Sequence, residues 1–304
     1  MSDLTRRSLI TSAAALPLAG LAARALAEAP PLGEFFARHR RITLGAFEVT
    51  TLLASTALRP DPQSIFGRNV DAEEFATISA ENFLSTEETR FYFTPVVVNT
   101  GSQVILFDTG LSPGSITGAL AGAGYQPEQI DTVVITHMHG DHIGGLSDSG
   151  VATFPNATYV TGQVEYDHWA WAGNPGFDGK VRPLAERMSF LAPGQDVASG
   201  VTSVAAQGHT PGHMGYHIES NGARLMLFAD LANHPVWSLA RPDWEMRFDM
   251  DKEAAAASRR RVLDMIATDR IPAAGYHMPF PALGFVDRRE DGFRWVPESG
   301  QLMG

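Results

Sequence analysis

The run Thr136-His137-Met138-His139-Gly140-Asp141-His142-Ile143-Gly144-Gly145 sets three imidazoles and one carboxylate within six residues. It directly follows a short β-branched stretch, residues 132–135, that reads as a strand. In an extended segment alternate side chains point the same way, so His137 and His139 can grip one ion together. Gly140 allows a turn, past which Asp141 and His142 can face a second ion. The chain has no cysteine. Any metal must therefore be held by imidazole and carboxylate, ligands that suit zinc. Such a cluster demands a scaffold that brings further ligands to the same point from distant parts of the chain.

Three later segments offer those ligands, each at the end of a predicted strand. Gly208-His209-Thr210-Pro211-Gly212-His213 places His209 on a loop. Phe228-Ala229-Asp230 ends a strand in a carboxylate, and Gly275-Tyr276-His277 ends the last expected strand in an imidazole. The set serves two ions. One takes His137, His139 and His209, the other Asp141, His142 and His277, and Asp230 bridges them with its two oxygens. His213 is expected to support the site without binding metal. His39, His168 and His217 are expected to be surface or structural.

The remaining pattern fits a layered α/β sandwich. Strand pairs are predicted over residues 42–53, turned at Gly45, and over 93–99 and 103–107, joined at Thr100-Gly101-Ser102. Helices are predicted over 115–123, 163–171, 184–190 and 252–268, the last capped by Asp251. Strands are predicted over 201–205, 214–218 and 224–228. Residues 53–90, with Phe66, Phe75 and Phe83, can form either a lid or core. Arg259-Arg260-Arg261 is expected to be a solvated helix face.

Residues 1–27 read as a signal peptide. Arg6-Arg7 precedes an uncharged stretch, residues 8–23, and Ala25-Leu26-Ala27 offers a cleavage site. The arginine pair in Thr5-Arg6-Arg7-Ser8-Leu9-Ile10 resembles a twin-arginine signal. The expectation is an exported protein, periplasmic or secreted, with residues 28–304 forming the functional domain and no stable membrane association after processing. The formal net charge of -11 argues against a nucleic-acid partner, because binding phosphates needs surplus Lys and Arg. A small-molecule substrate is expected, and a homodimer is compatible with the sequence.

The segment His137 to His142 resembles the HxHxDH motif of the metallo-β-lactamase superfamily. That likeness implies a four-layer αββα sandwich with the metals at one edge. It also implies that Asp108, in Phe107-Asp108-Thr109-Gly110, orients the site from behind the ligands. Within the superfamily the chain is similar to the methyl parathion hydrolase-like branch. The likeness rests on residues 123–131, on Gly208 to His213, and on His277-Met278-Pro279-Phe280-Pro281-Ala282-Leu283-Gly284 with Gly292-Phe293-Arg294-Trp295-Val296-Pro297. Two residues depart from it: Gly140 replaces an expected proline, and Phe285 stands where a histidine often follows the glycine.

The resemblance implies a small-molecule hydrolase of esters, lactones or phosphotriesters. A hydroxide bridging two zinc ions would attack the carbonyl or phosphorus, with Asp141 or Asp230 passing a proton to the leaving group. Absence of cysteine and presence of Asp230 oppose antibiotic hydrolysis. His234, Trp237 and Phe285 are the expected pocket residues, with Trp244 nearby. Lactones and aryl esters are expected ahead of phosphotriesters. The alternatives are a phosphotriesterase as the main activity, and a non-catalytic metal-binding protein on the same fold.

Overall fold

Two runs of strands, one from each half of the chain, build two facing sheets. The computed structural model describes residues 37–289 and 291–299; the expected signal peptide lies outside the described residues. The first sheet holds β1 (His39–Leu44), β2 (Phe47–Leu52), β3 (Val96–Asn99), β4 (Val104–Phe107), β5 (Thr132–Val134), β6 (Thr158–Gly162) and β7 (Met188–Leu191), in sequence order. The second holds β8 (Asp196–Ala198), β9 (Val201–Ala205), β10 (Met214–Ser220), β11 (Ala223–Ala229), β12 (Ala273–Gly275), β13 (Leu283–Arg289) and β14 (Gly292–Pro297), again in sequence order. The helices are α1 (Ala72–Glu81), α2 (Pro113–Gly122), α3 (Gly140–Ile143), α4 (Gln163–Ala172), α5 (Pro175–Lys180) and α6 (Lys252–Asp269).

Apolar residues on the facing sides of the two sheets form the central core. Ile42, Val49, Val98, Ile105 and Val134 meet Val201, Tyr216, Ile218, Leu225 and Leu227. Each fully buried aliphatic side chain contributes about 1.5–3 kcal/mol. On the outer face of the first sheet, Leu106, Val133 and Tyr159 pack against Ile116 and Leu120 of α2, Trp169 of α4 and Phe177 of α5. On the outer face of the second, Met226, Phe228 and Ala273 pack against Val262, Leu263 and Ile266 of α6. The result is the four-layer αββα sandwich. Gly45 turns the β1–β2 hairpin at φ 61, and a Cβ there would lie 2.0 Å from the Ser220 carbonyl oxygen. Only glycine lets this turn close against the end of β10.

The predicted strands and helices stand with three differences. Residues 93–99 are not one strand: Phe93 ends a strand, Glu88–Phe93, that pairs with Ser55–Pro60, and β3 begins at Val96. Residues 184–190 are not one helix: a 3-10 turn, Arg182–Arg187, hands over to β7. The pairing of β7 with β6 overrides helical propensity over residues 188–190. β12, which ends at Gly275, is not the last strand, because β13 and β14 follow as an antiparallel hairpin. Phe66 and Phe75, at 0% and 1% exposure, belong to an aromatic core with Phe91, Trp237 and Trp244, whereas Phe83 is fully exposed. Among the described residues, no helix is long and apolar enough to cross a membrane.

Candidate metal centre

β4 and β6 both run parallel to β5, and β12 runs parallel to β11. The chain therefore leaves these strands toward one rim, where Asp108, His137, Asp230 and His277 sit within three residues of a strand end. Asp108 and Ala229 take left-handed backbone, with φ 61 and 46, conformations that cost non-glycine residues energy and turn the chain sharply into the site.

The sequence-predicted ligands come together. His137 Nε2 lies 3.1 Å from His139 Nδ1, which lies 3.0 Å from His209 Nε2. A tetrahedral zinc with ligands at ~2.0–2.1 Å sets its nitrogens ~3.3 Å apart, so this triangle matches the shape of such a site. Asp141 Oδ2 lies 3.5 Å from His142 Nε2 and 3.3 Å from His277 Nε2. Asp230 faces both groups: its Oδ1 is 3.3 Å from His142 Nε2, and its Oδ2 is 3.3 Å from His209 Nε2 and 3.2 Å from His277 Nε2. His142 Nε2 and Asp230 Oδ1 are buried without a hydrogen-bond partner. A buried polar atom left unpaired costs about 1–3 kcal/mol, and a divalent cation between these two relieves both. The donor set thus fits two metal ions.

The surrounding bonds aim the donors. His142 Nδ1 donates to Asp108 Oδ2 at 2.8 Å, while Asp108 Oδ1 accepts from the Thr136 backbone at 2.9 Å. His277 Nδ1 donates to the Tyr92 carbonyl at 2.7 Å. His213 Nδ1 donates to the Ala206 carbonyl, and its Nε2 accepts from the Asp230 backbone at 3.2 Å, so it positions Asp230. The Tyr276 hydroxyl donates to the Asp141 carbonyl at 2.6 Å, and its ring lies 4.0 Å from that of His142.

Charge in this buried set is strongly biased. Burial opposes ionisation of Asp230, but His277 and His142 outweigh it and hold the carboxyl well below the ordinary range. Burial opposes a proton on His209, yet Asp230 and Asp249 push it up to about 9. Burial and then His209 push His139 down to about 3. Burial pushes Asp108 up despite its bond with His142. Ionised Asp230 thus sits among imidazoles whose charges depend on one another, a polar core that a cation organises.

The cavity above the centre has a volume of about 340 Å³. His139, Asp141, His209, Asp230 and His277 are in its wall, and Phe91, Phe93, Leu111 and Phe248 supply the apolar part. Arg59 and Asn233 complete it, and Asn233 Nδ2 donates to Asp230 Oδ2 at 2.8 Å. The expected pocket residues lie elsewhere. His234 turns its Nδ1 to the backbone N–H groups of Val236 and Trp237 and stacks on the Trp237 ring at 4.0 Å. Trp237 is 1% exposed and donates to Ser79 Oγ on α1. Trp244 belongs to the same aromatic core. Phe285 is on β13, opposite Val296, and lines a separate groove with Arg270 and Arg294. Sequence proximity to Asp230 and His277 does not carry these residues to the cavity: past Asn233 the turn Pro235–Ala240 leads the chain away, and Phe285 lies on β13, eight residues beyond His277.

Two buried charged groups escaped the sequence reading. Glu165 on α4 accepts from the Met138 backbone and Trp169 Nε1 on one oxygen, and from Thr210 Oγ1 and the Gly212 backbone on the other. It ties the His137–His142 loop to the His209 loop. Its signal was Trp169 one turn on, the same helix face. Arg259 is not solvated: it is 1% exposed and paired with buried Asp249.

Several relatives share this architecture. AidC, a dizinc quorum-quenching lactonase solved with a product, N-hexanoyl-L-homoserine, superposes with a TM-score of 0.80 at 28% identity, covering 86% of this chain and 97% of AidC. The hydrolase AbOPH gives 0.80 at 25% identity over 88% of this chain and 99% of AbOPH. In sequence, 139 residues are 27% identical to the uncharacterized protein YobT of Bacillus subtilis, 42% of this chain and 58% of YobT. A further 30% identity over 120 residues relates it to the N-acyl homoserine lactonase AttM of Agrobacterium fabrum, 36% of this chain and 44% of AttM. The chain thus matches less than two thirds of the length of either protein. Residues 94–273 match the family model of the metallo-beta-lactamase superfamily. That match takes in more than half of the sequence, and the chain belongs to the metallo-β-lactamase superfamily.

Proposed function

We propose that this protein is a dinuclear metallohydrolase, with zinc as its metal, that opens lactone rings and cleaves aryl esters, N-acyl homoserine lactones being the favoured substrate class. The observation that carries the reading is the placement of Asp230 between two His/Asp clusters on the floor of an apolar-walled cavity. Its similarity to AidC, a lactonase, supports the choice of substrate. His137, His139 and His209 would hold one ion and Asp141, His142 and His277 the other, with Asp230 shared. Bound there, the two ions supply Lewis acidity toward a carbonyl oxygen and a strongly acidified water.

The chain supplies the rest. Phe91, Phe93, Leu111 and Phe248 shelter an acyl or aryl group from water and orient it by packing. Asp141 is the more open carboxylate, with its side chain 21% exposed against 4% for Asp230. It is therefore the group placed to take up the proton that the attacking water releases and hand it to the departing oxygen, while Asp230 holds the floor.

A panel of N-acyl homoserine lactones, aryl esters, phosphotriesters and β-lactams on the metal-loaded enzyme tests this. Lactones and aryl esters are expected to exceed β-lactams in kcat/KM by at least about tenfold, since pocket contacts are worth ~1–3 kcal/mol per apolar group. Phosphotriesters turned over far faster than every lactone would move the chain to a methyl parathion hydrolase-like role. No turnover in the presence of two bound ions would favour a non-catalytic metal-binding protein.

We also propose export, on Arg6-Arg7 and Ala25-Leu26-Ala27. Fractionation with N-terminal sequencing is expected to find a chain beginning near Glu28 outside the cytoplasm. Replacing both arginines by lysine is expected to block export by the twin-arginine route. An intact N-terminus confined to the cytoplasm would refute the proposal.

A further inference from the structure

Behind His209 lies a buried ion pair that the reaction does not touch. His209 Nδ1 donates to Asp249 Oδ1 at 2.9 Å, and Asp249 Oδ2 accepts from Arg259 Nη1 at 2.7 Å. Arg259 Nε donates to the Pro242 carbonyl at 2.7 Å, and Nη2 reaches the Trp244 carbonyl at 3.4 Å. Asp249 is 2% exposed and Arg259 1%. A buried pair of this kind is weak ground for stability, since apolar side chains of similar volume often serve as well.

What the pair does offer is control of one imidazole. An acceptor at Nδ1 fixes the proton there, points the Nε2 lone pair at His139 and Asp230, and stops rotation of the ring. Asp249 divides its two oxygens between His209 and Arg259, so the carboxylate cannot swing away. Arg259 is anchored in turn on α6 and on two carbonyls of the 242–244 segment. Gly208 brings the same loop against α6: at φ +123, its Cβ would lie 2.1 Å from the Ala255 backbone nitrogen. The other cluster has supports of its own, His142 on the Asp108 carboxylate and His277 on the Tyr92 carbonyl, and neither touches Asp249 or Arg259.

We propose that Asp249 and Arg259 are positioning residues for the half of the centre formed by His137, His139 and His209, so that their loss empties this half and leaves the Asp141, His142 and His277 half filled. The inference rests on the dinuclear reading above. Arg259→Gln removes the charge, and Arg259→Lys restores it without the fork. The double variant Asp249→Leu/Arg259→Met removes both charges together and avoids an unpaired buried carboxylate. Arg260→Ala, in an exposed pair with Asp243, is the control.

Zinc content after dialysis and competition with a chromogenic chelator read each site, and cobalt substitution gives a spectrum for each. Wild type and Arg260→Ala are expected to hold about two ions. Arg259→Gln and the double variant are expected to hold about one, with ~10–100-fold weaker affinity at the emptied half and loss of one cobalt component. Arg259→Lys is expected to recover part of both. Folded variants that keep two ions with unchanged affinity and spectrum would overturn the positioning role alone. Wild type that binds no second ion would overturn the dinuclear reading and this inference with it.

Discussion

Asp230→Asn is expected to cost the protein its dinuclear centre and to lower kcat/KM by about a thousandfold or more. The two oxygens of Asp230 face different histidines: Oδ1 looks at His142, and Oδ2 at His209 and His277. An asparagine must therefore turn its amide nitrogen toward His142 or toward His209 and His277, so it faces ligand imidazoles whichever way it flips. A nitrogen bearing two protons is no ligand, and the negative charge that offsets two cations is gone. Loss of a Lewis-acid contact worth ~4 kcal/mol in the transition state is a factor of about a thousand in rate. Zinc content and kcat/KM on the best lactone of the panel measure the effect. Two ions retained with a rate within tenfold of wild type would show that Asp230 is not shared between them.

The candidate metal centre was legible because its donors are rare residue types held in short motifs at strand ends. His137, His139, Asp141 and His142 are adjacent in sequence, and His209, Asp230 and His277 each close a β-rich run. Cysteine was absent, so nothing competed for the role. The strands were legible for a similar reason, since facing sheets demand apolar residues at regular spacing, as in Val96, Val98, Ile105 and Phe107. The cavity wall was not legible. Arg59, Phe91, Phe93, Leu111 and Phe248 come from four separate segments, and an aromatic residue carries no mark of which side it faces. Phe66 and Phe75 went into the core, while Phe91 and Phe93 edge against His277 at 5.2 and 5.5 Å. Trp237 and His234 follow Asp230 closely in sequence, but the turn Pro235–Ala240 carries them into the aromatic core behind it. Arg259 was hidden among three arginines, of which only the tertiary fold chooses one to bury.

Glu165 carries the second large effect, on stability and on metal together. Its side chain is fully buried and accepts four hydrogen bonds, two on each oxygen. Three of the four donors cannot reverse: the Met138 and Gly212 backbone N–H groups and the Trp169 indole. Only the Thr210 hydroxyl can turn and accept. Glu165→Gln will therefore settle with its amide nitrogen toward Thr210, leaving the Gly212 N–H facing a donor. One orphaned N–H and the loss of charge from the remaining bonds cost about 2–3 kcal/mol. In a domain of this size that lowers Tm by roughly 5–10 °C. Glu165→Leu strands all four donors and is expected to cost about 5 kcal/mol or more, enough to unfold a marginal protein. Met138 stands between His137 and His139, and Thr210 follows His209, so the same substitution loosens both loops of one cluster. Zinc is expected to leave the Glu165→Gln protein more readily, and added zinc to recover part of the lost Tm by mass action. Thermal melts with and without added zinc settle both points. A Glu165→Gln protein that melts within about 1 °C of wild type and keeps its zinc would show that the loops are held together by packing, with Glu165 only filling the space between them.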